Sequence, residues 1–250
     1  MIQSDNEIDI YHTYNDKRAV KKVYKYAYIE AKMLDYLRQY INTPKVYHSK
    51  DDLLIMEYIN GDFNIDEEAA GLSLAKLHNV SSDYFGFDYD TTIGGYLQEN
   101  AKNKSWVEFF INQRVLYMAK ECYIEEKIDK ELLKTIEKLC LKLDDILSHN
   151  PKPSLIHGDV WCGNIIQSQE LYFIDPAIYF ADFEIELAFI MMFETFSHRF
   201  FDRYKEIKHI DKEFFKTRYK IYQIYPYLVH IRKFQGGYVN GLKNILNYFV

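Results

Sequence analysis

The sequence predicts an α+β protein of two lobes, in which a small antiparallel sheet with one helix precedes a larger, mainly helical lobe. Residues 1–60 follow the pattern strand, strand, helix, strand, strand. Residues 61–250 have mostly helical spacing, and a short polar hairpin near residue 165 interrupts the helices. We therefore expect two domains, 1–60 and 61–250, with the boundary near residues 58–62.

The first lobe is predicted to hold four strands and a single helix. Ala31, Leu34 and Leu37 recur at helical spacing, which predicts a helix over residues 28–39. The strands are expected at residues 8–14, 18–24, 44–47 and 53–59, with turn signals at 15–17 and 51–52.

The second lobe is predicted from helix signals on both sides of the hairpin. Asp66 can cap a helix over residues 67–78, because its side chain can accept hydrogen bonds from the first free N–H groups. Further helices are expected at residues 106–119 and 129–147, and from about 183, 211 and 219. Asp182, Glu184 and Glu186 stand where acids suit a helix dipole, and they could also attract a cationic amine substrate.

Composition excludes several classes of protein. With 48% hydrophobic and 27% charged residues, the chain is an ordinary globular protein with enough apolar side chains for a core. The net charge of −6 and the lack of a basic face argue against a nucleic-acid partner. The longest apolar stretch, residues 187–193, is far too short to span a membrane. We expect neither nucleic acid nor membrane as a partner, and the oligomeric state stays open.

Three widely spaced cysteines, Cys122, Cys140 and Cys162, indicate the redox environment. They form no C-x-x-C pair, so neither a zinc site nor a redox motif is predicted. The odd count, with no secretion signal at the N-terminus, favours reduced thiols and a cytoplasmic location.

The most informative segment is residues 157–164, His-Gly-Asp-Val-Trp-Cys-Gly-Asn. Asp159 and Asn164 are five positions apart on a predicted loop. Two short apolar runs around the polar turn 167–170 then predict a hairpin that ends at Asp175. Because a hairpin folds the chain back on itself, we expect Asp175 to return close to Asn164.

These three side chains match the catalytic residues of protein kinases. There, the loop Asp accepts the proton of the attacking hydroxyl, while the loop Asn and a second Asp hold Mg²⁺ against the nucleotide phosphates. The pattern predicts Asp159 as the catalytic base and Asn164 and Asp175 as metal ligands, since Mg²⁺ prefers oxygen ligands. The alternative is a polar turn between two strands.

The same residues resemble one family in particular. H-G-D-V-W-C-G-N followed by I-D-P-A is similar to the H-G-D-L-W-S-G-N and D-P-A of the fructosamine kinase (ketosamine-3-kinase) family. That family is part of the aminoglycoside phosphotransferase and protein-kinase-like group. The resemblance extends from about Pro44 to the C-terminus, and it implies a bilobal protein-kinase-like fold. It also implies ATP-dependent phosphorylation of a sugar hydroxyl on a ketoamine, free or on a glycated lysine, which leads to deglycation.

Candidate nucleotide-binding residues lie in the first lobe. Lys21 and Glu30 are candidates for the ion pair that aligns ATP phosphates, since Ala19-Val20-Lys21 matches the A-x-K pattern of a kinase strand. Lys22 is the alternative to Lys21. We expect the segment of Glu57, Tyr58 and Ile59 to be the hinge whose backbone binds adenine. No glycine precedes Gly61, so a Gly-rich phosphate loop is absent or is replaced by residues 14–16.

Two tryptophans are candidates for the acceptor site. Trp161 and Trp106 could stack on a sugar, and Trp161 is favoured because it lies beside Asp159 in the sequence. One alternative function is an aminoglycoside or choline kinase, against which the Trp-x-Gly-Asn loop argues. Another is a pseudokinase or nucleotide-binding module, which the short first lobe without glycine suggests.

Overall fold

The structure, a computed structural model, describes residues 7–12, 18–62 and 64–249. Its first part is an antiparallel sheet in the strand order β1-β2-β4-β3, with one helix packed on it. The bounds are β1 (Glu7–His12), β2 (Arg18–Val23), α1 (Ala27–Leu37), β3 (Val46–Lys50) and β4 (Leu53–Glu57). The predicted element order is confirmed, and the expected substitute for a Gly-rich loop, residues 14–16, lies outside the described residues.

A small hydrophobic cluster of its own holds α1 against the sheet. Ala27, Ala31 and Leu34 on α1 are buried against Leu54 and Met56 on β4. The other side of α1 contributes to the large core of the helical part, through Met33 and Leu37, with Ile41 after the helix. Residues 1–60 therefore contribute to both clusters, and the proposed division between residues 60 and 61 stays a prediction.

The chain leaves β4 and joins the hairpin directly. The N–H of Asp62 donates to the C=O of Gln167, and the N–H of Gln167 donates back, both at 2.9 Å. The Ser168 hydroxyl also donates to the C=O of Asn60, at 2.8 Å. The end of the sheet is therefore tied to the hairpin that carries the predicted site.

The remaining residues form a mainly helical part with short two-stranded sheets. Its helices are α2 (Glu67–Leu77), α3 (Trp106–Phe110), α4 (Tyr117–Ile124), α5 (Lys130–Cys140), α6 (Leu143–Ile146), α7 (Glu184–Met192), α8 (His198–Lys205), α9 (Tyr219–Tyr222), α10 (Ile224–Phe234) and α11 (Gly237–Phe249). Its strands are β5 (Thr91–Ile93), β6 (Tyr96–Gln98), β7 (Ser154–Ile156), β8 (Ile165–Gln167), β9 (Leu171–Phe173) and β10 (Tyr179–Ala181), paired as β5-β6, β7-β10 and β8-β9.

Helix starts in this part follow the sequence signals closely. Asp66 accepts hydrogen bonds from the N–H groups of Glu68 and Ala69, both at 3.1 Å, which confirms the predicted cap. The helix predicted over residues 129–147 is instead two helices, α5 and α6, joined by a turn at 141–142.

In the part of the chain that the structure describes, no helix is both long and apolar enough to cross a membrane.

Candidate active site

The loop of residues 157–164 lies between β7 and β8 and depends on two glycines. Gly158 has φ +89°, and a Cβ there would lie 2.2 Å from the C=O oxygen of Ala177. At Gly163, a Cβ would lie 2.3 Å from the indole ring of Trp161, which rests against that backbone. Any larger side chain at either position would displace its neighbours, so both glycines fix the shape of the loop.

Asp159 and Asn164 meet across this loop. The Nδ2 of Asn164 donates to the backbone C=O and to the Oδ2 of Asp159, both at 2.9 Å. His157 is fully buried beneath the loop, where its Nδ1 accepts from the N–H of Asp159 at 3.3 Å. Burial lowers the pKa of His157, so its neutral ring supports the loop.

The hairpin returns Asp175 to the same place, which confirms the predicted folding back. β8 and β9 pair Ile165 with Phe173, and the N–H of Ile174 donates to the C=O of Asn164 at 3.0 Å. Asp175 then takes a left-handed conformation with φ +53°. That backbone is uncommon for a residue other than glycine, and it is found mostly where the surrounding structure demands it.

A buried lysine connects Asp175 to the first lobe. The Nζ of Lys22 lies 2.8 Å from the Oε1 of Glu30 on α1, and it also contacts the Oδ1 of Asp175. The hydroxyl of Tyr24 donates to the other oxygen of Glu30. Burial by itself lowers the pKa of Lys22, but the charges of Glu30 and Asp175 outweigh it and leave the pKa raised. Lys22 therefore stays protonated and positively charged near neutral pH.

The expected pairing of Lys21 with Glu30 is wrong, and the alternative, Lys22, forms the ion pair. Alternate residues of a strand face opposite sides of the sheet. Val20 and Tyr24 pack against the cluster under α1, so Lys22 between them points toward Glu30. Lys21 points away, and its Nζ lies 3.9 Å from the Oδ2 of Asp9 on β1.

These groups line one cavity of about 560 Å³. Lys22, Glu30, Asp159, Asn164 and Asp175 all contribute to its surface. Two carboxylates and a carboxamide therefore face the same space as a lysine–glutamate pair, although the first lobe and the loop are more than a hundred residues apart in the sequence.

The two candidate tryptophans lie in different environments, one in the cavity and one in the core. Trp161 lines the cavity with 41% of its surface exposed. Trp106 is only 3% exposed, and its Nε1 donates to the hydroxyl of Tyr222 at 2.9 Å within a stack of core rings. The expectation that Trp106 walls the acceptor site is therefore wrong, because its ring is used to fill the core.

The predicted hinge lies apart from this cavity. Glu57, Tyr58 and Ile59 are not among its lining residues, and the ring of Tyr58 lies 4.0 Å below the guanidinium of Arg18. The role of these three residues in binding adenine stays a prediction.

Asp159 has the electrostatics of a proton acceptor near neutral pH. Burial, followed by the negative charge of Asp175, raises its pKa to about 7, and the hydrogen bond from Asn164 opposes that rise. A general base works best when its pKa is close to the operating pH. Asp159 is thus suited to accept a proton from an alcohol as that alcohol attacks.

Asn164 and Asp175 fit a divalent cation. Asn164 donates through Nδ2, and among the described residues no hydrogen bond reaches its Oδ1. The Asp175 carboxylate is charged, because Lys22 more than offsets the effect of burial and lowers its pKa. A carboxylate beside a carboxamide oxygen is the hard-ligand set that Mg²⁺ prefers.

A second cluster, His149, Asp182 and Glu184, also brings possible ligand atoms within 4.8 Å of one another. All four of its carboxylate oxygens already accept hydrogen bonds from other groups. Arg218 binds both oxygens of Glu184 at 2.6 and 2.7 Å, and the Tyr222 hydroxyl donates to Asp182 at 2.5 Å. This cluster is a buried ion-pair network rather than a ligand site.

Sequence reasoning missed the anchor beneath the loop. Glu186 on α7 accepts from the N–H groups of His157 and Gly158 at 3.2 and 2.5 Å, and from the Nε2 of His78 at 2.8 Å. His78, His157 and Glu186 are buried, and Gly158 is half-buried. The sequence explains Glu186 by the helix dipole or by attraction of a cationic amine, and nothing local relates it to His78, 108 positions away.

We expect Glu186→Gln to lower kcat and stability together. A carboxamide keeps one acceptor oxygen but places an NH₂ group against N–H donors, so at least one backbone N–H of the loop loses its partner. An unsatisfied buried donor costs about 1–3 kcal/mol. Thermal unfolding and steady-state kinetics measure both effects, and Glu131→Gln, at a side chain 83% exposed, is the control. Unchanged kcat in the Glu186 variant would show that the loop does not need this anchor.

The profile of the family described as fructosamine kinase matches residues 3–250. This chain belongs to the fructosamine kinase family. As a member of that family it is a phosphotransferase with an alcohol group as acceptor.

Individual relatives agree with this assignment. The chain is 33% identical over 217 residues to a probable ketoamine kinase of Pasteurella multocida, covering 83% of this chain and 74% of that protein. A crystal structure from Haemophilus somnus, assigned as a fructosamine-3-kinase, superposes with a TM-score of 0.88 at 29% identity, over 99% of this chain and 88% of the other.

More distant structures share the fold alone. A choline kinase from Streptococcus pneumoniae superposes with a TM-score of 0.64 at 15% identity, covering 99% of this chain and 90% of that one. The predicted α+β, bilobal, protein-kinase-like fold is confirmed by these neighbours and by the sheet and helices described above.

Proposed function

We propose that this fructosamine kinase family member uses ATP and Mg²⁺ to phosphorylate a sugar hydroxyl of a ketoamine. The observation that carries the proposal is the meeting of Asp159, Asn164 and Asp175 with the Lys22–Glu30 pair in one cavity. The names of the relatives, ketoamine kinase and fructosamine-3-kinase, support the acceptor class.

Asp159 orients the acceptor hydroxyl and takes its proton. Its Oδ2 is held by Asn164, and among the described residues no hydrogen bond reaches its Oδ1, which is therefore available to the acceptor. The sugar oxygen then bonds to the γ-phosphorus as the bond from that phosphorus to the leaving ADP oxygen breaks.

Lys22 and the metal-ligating side chains act on the phosphates. The Lys22 ammonium, held by Glu30, is positioned to bind phosphate oxygens of ATP. Mg²⁺ bound by Asn164 and Asp175 would neutralise charge on the transferring group. Both arrangements place positive charge where negative charge develops, which is the main way such enzymes lower the barrier.

The indole of Trp161 is the proposed platform for the sugar. It lines the cavity beside Asp159, and its position is fixed by the contact with Gly163. Aromatic rings offer a large apolar face to the C–H side of a sugar. Phosphorylation of the bound ketoamine would destabilise the adduct, so the consequence of the reaction is deglycation.

An acceptor panel tests this proposal. ADP release with MgATP is measured with fructosyl-lysine, ribulosyl-lysine, choline and kanamycin. We expect turnover with one or both ketoamines and none with the other two. Turnover with choline or kanamycin alone would overturn the acceptor class, and binding of ATP without turnover of any acceptor would indicate a pseudokinase.

A further inference from the structure

One side of the cavity is an aromatic wall, which we define as Phe189, Phe193, His230, Phe234 and Tyr238. The ring centroids of Phe189 and Phe193 are 4.9 Å apart, those of Phe193 and His230 5.0 Å, and those of His230 and Tyr238 4.9 Å. These residues come from α7, α10 and α11. The wall lines the same cavity as Asp159 and contains none of the proposed phosphate-binding groups, so it can border the part of an acceptor that does not react.

A single lysine stands within this wall. Lys233, between His230 and Phe234 on α10, lines the same cavity and lies at its exposed mouth. A Cβ on Gly94 would lie 3.9 Å from its Nζ, which places the ammonium beside the turn between β5 and β6. The cavity mouth there has an aromatic side and a backbone side, with a positive charge between them.

Within the part of the chain that the structure describes, the ammonium of Lys233 forms no ion pair. Among the described residues, no carboxylate lies within 4.0 Å of its Nζ, whereas Lys22, the other lysine of the cavity, contacts two. Burial lowers the pKa of His230, so that ring is neutral near pH 7. Lys233 is therefore the uncompensated cation on the acceptor side of the cavity.

The position of Lys233 in the last turn of α10 has a second explanation, since cations there interact favourably with the helix dipole. That explanation accounts for the charge but not for its place in the cavity. Its charge also reaches Asp159, whose pKa it lowers against the effect of burial. Lys233 and Asp159 line the same cavity, so a single acceptor molecule can contact both.

We propose that Lys233 binds a carboxylate on the amine-derived part of the acceptor, so that the preferred acceptors are ketoamines formed from free amino acids. This inference rests on the proposed function. A ketoamine joins a sugar to an amine, and an amino acid supplies that amine together with a carboxylate. In a peptide or protein the same carboxyl group is an uncharged amide, which offers Lys233 nothing to pair with.

Two matched acceptors isolate this interaction. Nα-acetyl-Nε-fructosyl-lysine keeps its carboxylate, and its methylamide differs only in lacking that charge. For the unmodified enzyme we expect a KM about 5-fold lower for the acid than for the methylamide, the upper range for an ion pair open to solvent. In Lys233→Met the KM for the acid should rise to that of the methylamide.

Lys243→Met, at an exposed lysine on α11 outside the cavity, is the control and should change neither KM. Equal KM values for the two acceptors in the unmodified enzyme would overturn the inference while leaving the proposed function intact. So would a Lys233→Met enzyme whose KM for the acid stays as far below that for the methylamide as in the unmodified enzyme. No turnover of either acceptor, nor of the corresponding ribulosyl-lysine pair, by the unmodified enzyme would overturn both proposals.

Discussion

Asp159→Asn is expected to lower kcat by about 10²–10⁴-fold, the usual contribution of a positioned general base. The carboxamide cannot take the proton of the attacking hydroxyl, yet it can still accept the hydrogen bond from Asn164. Nucleotide binding should persist, because Lys22, the lysine that we propose to bind phosphate, is untouched. The KM for ATP should therefore stay near its original value.

Stability provides the control within the same variant. Burial and the charge of Asp175 raise the pKa of Asp159 to about 7, so the ionised carboxylate is unfavourable in the folded protein. A neutral carboxamide removes that cost, and the melting temperature should not fall. Asp83→Asn, at an exposed site, should change neither property. An Asp159→Asn enzyme that keeps more than about a tenth of the original kcat would remove Asp159 from the role of base.

Lys22→Met should damage both nucleotide use and stability. We expect kcat/KM for ATP to fall roughly 10–100-fold, since a hydrogen bond to a charged group contributes about 1.5–3 kcal/mol. Removing one partner of a buried ion pair also leaves Glu30 uncompensated, which costs about 3 kcal/mol of unfolding free energy. Kinetics at varied ATP and chemical denaturation measure the two effects.

The neighbouring lysine is a matched control. Lys21→Met removes the same side chain from the same strand, but Lys21 makes only a long, partly exposed contact with Asp9. Such a pair contributes at most about 1 kcal/mol. If Lys21→Met had the larger effect on ATP use, the assignment of the phosphate-binding lysine to Lys22 would be wrong.

Local patterns in the sequence were sufficient to predict those parts of the site that are formed by short segments of the chain. The five-residue spacing of Asp159 and Asn164, and the hairpin that returns Asp175, are set by residues close in the chain, and both are found in the structure. The Asp66 cap is similarly local. These features require no knowledge of what packs against them.

Some features depend on which side of a strand faces a helix, or on partners that are distant in the sequence. These were not predictable from local patterns. The choice between Lys21 and Lys22 depends on which side of β2 faces α1, and a one-residue shift reverses it. Trp106 and Trp161 are equally aromatic, but only tertiary packing sends one into the core. Glu186 and His78 meet only because α2 and α7 pack beneath the loop, and no spacing in the sequence records this contact.

The position of the Lys22 ammonium has a consequence for how the binding of one ligand affects the affinity for another. It joins Glu30 on α1 to Asp175 at the end of the hairpin, so one ammonium group binds two carboxylates at once. Phosphates that draw Lys22 toward themselves would release an oxygen of Asp175 for a cation, and a cation on Asp175 would release Lys22 for phosphates. Because such coupling is reciprocal, nucleotide and metal should bind with positive cooperativity, each strengthening the affinity for the other.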